Sequence, residues 1–192
     1  MKPGRKTYLL ALTLCLLLPV SAAAQRFAVK TNALSLAAAT PHLGFELVTG
    51  EKMSLCLSAF GTYNPYWRDR SLGEATSTSL FVLRPEVRYW FNGRPLTRFY
   101  AGIAGLAASY DFPFGSVLHK GNAAGAGLTV GYVFNLGRRL DLEISTGAGA
   151  VFYWGKRHAG EGQLPAEDSM TATRGYKMMP VDLGITLVYI IR

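Results

Sequence analysis

Apolar and polar residues alternate with a period of two along most of the chain after residue 25, in segments separated by turn residues. The pattern predicts eight strands, at Arg26–Ala37, His42–Thr49, Met53–Tyr63, Ser79–Phe91, Arg98–Asp111, Ala123–Asn135, Leu140–Trp154 and Pro180–Ile191. The apolar face of the last strand is predicted to comprise Val181, Leu183, Ile185, Leu187, Tyr189 and Ile191. Because Pro85 has no amide hydrogen, we expect a bulge or bend in the fourth strand.

Charged residues of both signs lie on one face of several predicted strands. With Asn32, they form the group Lys30, Asn32, Glu46, Arg84, Glu86, Arg88, Asp141, Glu143 and Asp182. A soluble barrel would place such charges outside, whereas a membrane barrel places apolar side chains against lipid and polar ones inside. We therefore predict an all-β fold, an eight-stranded antiparallel up-and-down transmembrane β-barrel. Eight strands leave an interior just wide enough for side chains, so this group is expected to form a structural, salt-bridged network. Binding of an ion or polar ligand there is the alternative.

The predicted connections differ in length in a regular order. Tight turns at residues 50–52, 92–95 and 136–139 alternate with long segments at 64–78, 112–122 and 155–179, although the link at 38–41 is also short. Short periplasmic turns and longer external loops are typical of outer-membrane barrels, as are two girdles of aromatic residues. The external girdle is predicted from Tyr63, Tyr66, Trp67, Tyr110, Phe112, Phe152, Tyr153 and Trp154. The periplasmic girdle is predicted from Phe27, Tyr89, Trp90, Phe91, Phe99, Tyr100, Phe134 and Tyr189.

The first 24 residues have the features of a cleavable signal peptide. Three cations at Lys2, Arg5 and Lys6 precede an apolar run over residues 8–18, and small residues follow at 21–24. This run is shorter than the ~20 residues of a membrane-spanning helix, which disfavours an uncleaved anchor. We expect cleavage after Ala24 and export to the outer membrane, leaving residues 25–192 as one barrel domain.

Composition excludes several classes of function. Removal of the three leader cations lowers the formal charge from +8 to +5, and the remaining cations are scattered, so we expect no nucleic-acid partner. Cleavage would leave Cys56 as the sole cysteine, which precludes an intramolecular disulfide and predicts a small buried residue. The three histidines do not share a ligand spacing, and no glycine-rich segment opens a helix. We expect neither a metal nor another cofactor.

Several segments have distinctive sequences, namely FAVKTN at residues 27–32, PHLGFE at 41–46, Ser54-Leu55, Tyr63–Pro65 with Trp67, and RPEVRYW at 84–90. They resemble a family of unknown function with small secreted members in Bacteroidetes-type bacteria, regarded as outer-membrane β-barrels. The resemblance covers nearly the whole mature chain, and the Lys-Thr-Asn and Arg-Pro-Glu-x-Arg-Tyr-Trp blocks are its most specific parts. It implies fold and location, and a link of some members to surface-fibre systems, but no activity. The terminal Arg192 departs from the aromatic residue that ends many barrel proteins.

Three functional hypotheses follow. The leading one is a non-enzymatic surface or envelope protein, structural or accessory to adhesion or fibre assembly, that acts through its external loops. The candidate loop contacts are Trp67, Arg68, Arg70, Lys156, Arg157 and Arg174. Expected partners of this monomer are outer-membrane lipid and lipopolysaccharide, the barrel-assembly machinery, and a surface or fibre protein.

The second hypothesis is a barrel hydrolase that modifies lipid A acyl chains. Its candidates are Ser116, His119, His158 and Glu161, although catalytic groups on flexible loops would be poorly positioned. We therefore assign no catalytic residue. The third hypothesis is a small channel, which the ion-paired interior disfavours.

Overall fold

The computed structural model describes residues 26–64, 78–114, 117–159 and 171–191. The strands are β1 (Phe27–Asn32), β2 (His42–Val48), β3 (Met53–Asn64), β4 (Thr78–Trp90), β5 (Arg98–Phe114), β6 (Val117–Asn135), β7 (Leu140–Ala159) and β8 (Thr171–Ile191). Each strand is antiparallel to its neighbours in chain order, and β8 pairs back with β1, so the sheet is closed. The prediction of an all-β fold with eight antiparallel strands in one ring-like sheet is confirmed.

The alternation in sequence separates the two faces of this closed sheet. From Phe81 to Trp90 in β4, every second side chain is buried and the others are exposed. The buried set includes Arg84, Glu86 and Arg88, whereas Phe81, Leu83 and Val87 lie on the outer face. Polar side chains therefore fill much of the interior, and large apolar side chains cover the outside. Cys56 is free and buried, as the sequence predicts.

A short helix, α1 (Ala33–Ala37), replaces the second half of the predicted first strand. The Asn32 Oδ1 accepts hydrogen bonds from the Leu34 and Ser35 amides, so Asn32 acts as the N-cap. The prediction of a strand to Ala37 is wrong because this cap starts a helical turn of mostly alanine and leucine, which are strong helix formers. No helix in the described ranges is long and apolar enough to cross a bilayer.

The last four strands extend well beyond their predicted ends. The segment 112–122, predicted as a loop, lies in β5 and β6 except for residues 115–116, which the structure does not describe. Of the predicted loop 155–179, residues 155–159 belong to β7 and 171–179 to β8. Paired backbone groups hold these extensions, as in the register Val117↔Ala159 and Arg157↔Thr171. Side-chain alternation does not reveal them because residues of the same type stand next to each other there, as at Lys156-Arg157 and Met178-Met179.

A register shift in β8 changes which side chains point inward. The pairs Gly147↔Asp182 and Ala148↔Pro180 leave Val181 as an extra residue, so Val181 and Asp182 are both buried. The prediction that Val181 lies on the outer apolar face is therefore wrong. In β4, by contrast, Pro85 pairs with Leu57 without a shift, although β4–β5 pairing is interrupted at this level. The register thus shows no bulge at Pro85, whereas the interrupted pairing is what a residue without an amide hydrogen predicts.

The turn between β4 and β5 closes one end of the interior. Leu96 has a positive φ of 63° and is almost fully buried. It packs in an apolar cluster with Ala28, Trp90, Tyr100 and others. The sequence predicted only a tight turn at 92–95, so this inward-facing leucine was not anticipated. The cluster covers the polar interior at the end where both described termini, Arg26 and Ile191, lie.

Three inward-facing tyrosines each lie over a glycine directly opposite on the next strand. The pairs are Tyr100↔Gly131, Tyr110↔Gly121 and Tyr153↔Gly175. A Cβ built on Gly131 would lie 2.6 Å from the Tyr100 ring, so a side chain there would displace the ring. These glycines provide space for aromatic side chains that cover the bare backbone. Tyr100, Tyr110 and Tyr153 were predicted in the aromatic girdles, which is wrong because all three face the interior.

The Tyr100–Gly131 pair leads to a stability prediction. Gly131→Ala is expected to lower the free energy of unfolding by about 1–3 kcal/mol, because the added methyl group overpacks against the ring. Gly137→Ala is the matched control, since a Cβ at Gly137 has nothing within 4 Å. Urea unfolding of the detergent-solubilised protein measures both. Equal midpoints for the two variants would contradict the tight packing described at Gly131.

Candidate functional site

Arg88 lies at the centre of a buried ion-pair network inside the closed sheet. Its guanidinium donates to Glu46 at 3.1 Å, to Glu143 at 3.0 Å and to Glu86 at 2.7 Å. These residues come from β2, β7 and β4, so the network joins opposite walls of the sheet. Arg88 itself is 1% exposed. A guanidinium with several donors in a plane is suited to hold three carboxylates at once.

Lys30 and Arg84 extend the network to either side of Arg88. The Lys30 ammonium donates to Glu143 at 2.5 Å and also forms an ion pair with Glu46. Arg84 forms an ion pair with Asp182, and its other terminal nitrogen lies 4.0 Å from Glu86. Seven of the nine residues in the sequence-predicted interior group are therefore joined in one network: Lys30, Glu46, Arg84, Glu86, Arg88, Glu143 and Asp182.

Neutral hydroxyl groups donate further hydrogen bonds to the carboxylates of the network. The Ser54 and Thr129 hydroxyls each donate at 2.5 Å, to Glu46 and Glu86 respectively. The Tyr100 hydroxyl donates to Glu143 at 2.8 Å. Such hydrogen bonds are needed because a buried carboxylate without partners is strongly destabilising.

Two aromatic residues that contact the network, Trp90 and Tyr100, were predicted on the wrong face from the sequence. The Trp90 indole donates to the Ser54 hydroxyl at 2.8 Å, and the Arg88 guanidinium lies 4.2 Å from the centroid of the Tyr100 ring. Both aromatics are fully buried in the interior and not at a girdle. The signal was available for Trp90, which follows Arg84, Glu86 and Arg88 at the same period of two.

Asn32 and Asp141 are buried but lie outside the network. Besides capping α1, Asn32 donates through Nδ2 to the Leu183 carbonyl at 3.1 Å. Asp141 lines a cavity of about 220 Å³ at the end that bears the termini, with Arg26, Arg94 and Arg138. Both residues face inward as expected, but their neighbours are different from those of the seven joined residues.

Three of the six candidate loop contacts fall at the opposite end. Trp67, Arg68 and Arg70 lie outside the described residues. Lys156 and Arg157 belong to β7, and Arg174 is exposed on β8, directly across from Trp154. The strand register thus places these three cations on neighbouring strands within a few residues of each other.

The hydrolase candidates are only partly described. His119 belongs to β6 and lines a cavity at the end opposite the termini. His158 lies in β7, while Ser116 and Glu161 fall outside the described ranges. Within those ranges, no three His, Cys, Asp or Glu side chains could together hold a metal ion.

Comparison with known proteins gives one family. The family described as "Protein of unknown function (DUF3575)" matches residues 9–191, which include all eight strands. No curated protein matches the sequence, and neither does any solved structure.

Proposed function

The chain belongs to this family of proteins of unknown function, and we propose that it is a non-enzymatic outer-membrane β-barrel that contacts envelope or surface partners through its external end. On this proposal the first 24 residues are removed on export, and both ends of the mature chain lie in the periplasm. The barrel-assembly machinery inserts the protein as a monomer. An origin in Bacteroidetes-type bacteria, as its motifs suggest, is part of the same proposal.

The distribution of apolar and charged side chains supports insertion in a membrane. Among the described residues, eight Lys, Arg, Asp and Glu side chains are buried inside the closed sheet, while leucine and isoleucine side chains on the outside are strongly exposed, such as Ile103 at 64% and Leu128 at 69%. In water this arrangement would be unfavourable, because large apolar patches are rarely left exposed. In a bilayer the same outer face is solvated by lipid.

Aromatic residues on the outer face support two membrane interfaces. Tyr89, Phe91 and Phe99 form edge and tilted ring contacts near the end that bears the termini. At the other end, Phe152 and Trp154 are stacked with ring centroids 5.7 Å apart. Tyrosine and tryptophan, here Tyr89 and Trp154, favour the headgroup region because they combine an apolar ring with a polar hydroxyl or N–H group.

The unequal strand lengths carry the functional part of the proposal. About 9–11 residues of a tilted strand cross a bilayer, whereas β6, β7 and β8 have 19, 20 and 21 residues. The excess lies at the end opposite the termini, so these strands would project beyond the bilayer as a raised wall. Arg174 on this wall, next to Lys156 and Arg157, would lie at the height of lipopolysaccharide phosphates, which cations recognise well.

This geometry predicts that lipopolysaccharide stabilises the protein through the raised wall. In bilayers that contain lipopolysaccharide, the unfolding midpoint should rise relative to phosphatidylcholine bilayers, by about 2–4 °C per kcal/mol of binding. The triple variant Lys156→Ser, Arg157→Ser, Arg174→Ser should lose most of this rise. Heat-dependent gel mobility of the refolded mature chain measures it.

The control for this experiment lies at the opposite end of the sheet. Arg138 and Arg139 are exposed in the β6–β7 turn, so Arg138→Ser with Arg139→Ser should retain the full rise. An unchanged rise in the triple variant, or an equal loss in the control, would contradict the proposed contact. A surface-protein partner is tested separately by shortening residues 65–77 and 160–170, which leaves every described strand intact.

The channel alternative predicts conductance, which we do not expect. The network around Arg88 crosses the interior, and Leu96 covers one end of it. The refolded protein should therefore give no sustained current steps in planar bilayers at neutral pH. Reproducible single-channel steps from the wild-type protein would show that the network does not block the interior.

A further inference from the structure

A cavity of about 440 Å³ lies within the closed sheet at the end opposite the termini. Its apolar lining includes Val82, Leu106, Ala108, Ala123 and Val151, which come from four different strands. We refer to it as the apolar chamber. Its volume lies in the range of about 300–1,000 Å³ that is typical of small-molecule sites.

The chamber has a deep end and an exposed end. Val82, Val151 and the adjoining Val181 are nearly inaccessible, whereas Lys177 is exposed. Along β8 the lining runs from Thr173 to Pro180, about 23 Å of backbone at the usual strand rise. Lys177 pairs with Val151 in the strand register, so this lysine lies in the chamber wall beside the apolar part.

The register shift in β8 separates the chamber from the ion-pair network. Asp182 pairs with Arg84 in the network, while its neighbour Val181 packs with Ala123 and Val151 at the chamber's deep end. Without the extra residue, the two side chains would point to opposite faces. The interior thus changes from polar to apolar between two consecutive residues.

The charge of the lining is one-sided. Lys177 and His119 line the chamber, and no aspartate or glutamate appears among its described lining residues. An exposed ammonium in the wall of an apolar cavity favours a ligand with an anionic head and an apolar body.

From these features we infer that the apolar chamber binds the hydrocarbon chain of an anionic single-chain amphiphile, with the head group at Lys177. The carboxylate of a free fatty acid and the phosphate of a lysophospholipid are both anionic acceptors that the Lys177 ammonium would bind. The chain would lie against Val82, Ala123 and Val151, where it replaces the contacts that an empty apolar space lacks. The inference requires no chemical step and does not depend on the raised wall's partner.

The test uses photoreactive ligands and the full mature protein in phosphatidylcholine nanodiscs. The probes are a sixteen-carbon fatty acid, a lysophosphatidic acid and a fatty alcohol, each with a diazirine at the chain terminus. We expect labelling by the two anionic probes on peptides that contain Val82, Ala123 or Val151. Labelling confined to outward residues such as Ile103 and Leu128 would reflect bulk lipid and would overturn the inference. Labelling by only one of the two anionic probes would also support the inference, and it would identify which head group the protein binds.

Two matched pairs of variants test the chain and the head separately. Ala108→Phe fills the chamber, whereas Ala107→Phe places the same ring on the outer face. Ala123→Leu and Ala124→Leu repeat this comparison with a smaller side chain, and gel mobility verifies folding. The inward substitutions should nearly abolish deep labelling, and the outward ones should leave it unchanged.

Lys177→Met should reduce labelling by the anionic probes on the order of tenfold but not labelling by the alcohol, because a charged hydrogen bond is lost. Lys120→Met is the control, since Lys120 is exposed outside the chamber and pairs with Asp111 at 3.6 Å. Equal loss in both lysine variants, or none in Lys177→Met, would overturn the anionic head. If other residues of the protein fill the chamber, the wild-type protein would show no labelling at Val82, Ala123 or Val151. That result would overturn the inference altogether.

Discussion

Leu128→Arg is expected to lower the free energy of unfolding from bilayers by about 2–4 kcal/mol, because a cation near the bilayer midplane destabilises a membrane barrel by that amount. Leu128 is 69% exposed on the outer face of β6. It lies midway along β6 between Phe134, near the end that bears the termini, and Asn122, which pairs with Trp154. If lipid surrounds this side chain, arginine must either bury its charge or distort the bilayer. Urea unfolding in phosphatidylcholine vesicles measures the loss.

Leu136→Arg is the matched control for this substitution. Leu136 is also strongly exposed, at 59%, but it lies in the turn after β6. A cation there would remain in the headgroup region or in water, so we expect an effect of about 0–1 kcal/mol. In a water-soluble protein both substitutions would be surface changes of similar and small effect. Small and equal effects would therefore contradict membrane insertion of the outer face.

Arg88→Met is expected to destabilise the fold by about 3–5 kcal/mol, because it removes one partner of several buried ion pairs. Glu86 would keep only the Thr129 hydroxyl and the more distant Arg84, at 4.0 Å. Such a loss is a large fraction of the 5–15 kcal/mol that stabilises a typical domain. Equilibrium unfolding, followed by circular dichroism, gives the change in midpoint.

A second substitution separates the unpaired charge from the lost packing. Glu86→Gln combined with Arg88→Met should recover part of the stability, since the uncompensated carboxylate is then neutral. Arg138→Met, in an exposed turn, should stay within about 0.5 kcal/mol of the wild type. If Arg88→Met is no more destabilising than Arg138→Met, the network does not stabilise the interior.

The alternation of residue types was sufficient to predict the closed sheet's two faces. Arg84, Glu86 and Arg88 repeat at a period of two, which places them on one face of β4. Their burial was predicted from the choice of a membrane barrel over a soluble one, and all three are buried. The pairing of particular charges could not be predicted in this way. Arg84 meets Asp182 across the interior, a contact set by where β4 and β8 lie in the closed sheet and not by the alternation within either strand.

The features that the sequence did not predict depend on backbone pairing between strands or on a single residue, such as one helix cap. The extensions of β6 to β8 are held by hydrogen bonds between strands, which leave little trace in a sequence where residues of the same type stand next to each other. Helix α1 depends on one Asn32 side chain, and the apolar chamber on an extra residue at Val181. Sequence patterns report which face of an element is buried, whereas these features depend on where each element begins or shifts.

Fractionation of cells that produce the full-length chain tests the central claim most directly. Membranes are washed with alkaline carbonate, and the outer membrane is then separated from the inner membrane by density. We predict that the protein stays in the outer-membrane fraction, has lost residues 1–24 and migrates faster on gels when the sample is not heated. Recovery of the folded protein in the carbonate wash or in the soluble periplasmic fraction would contradict a barrel that spans the membrane.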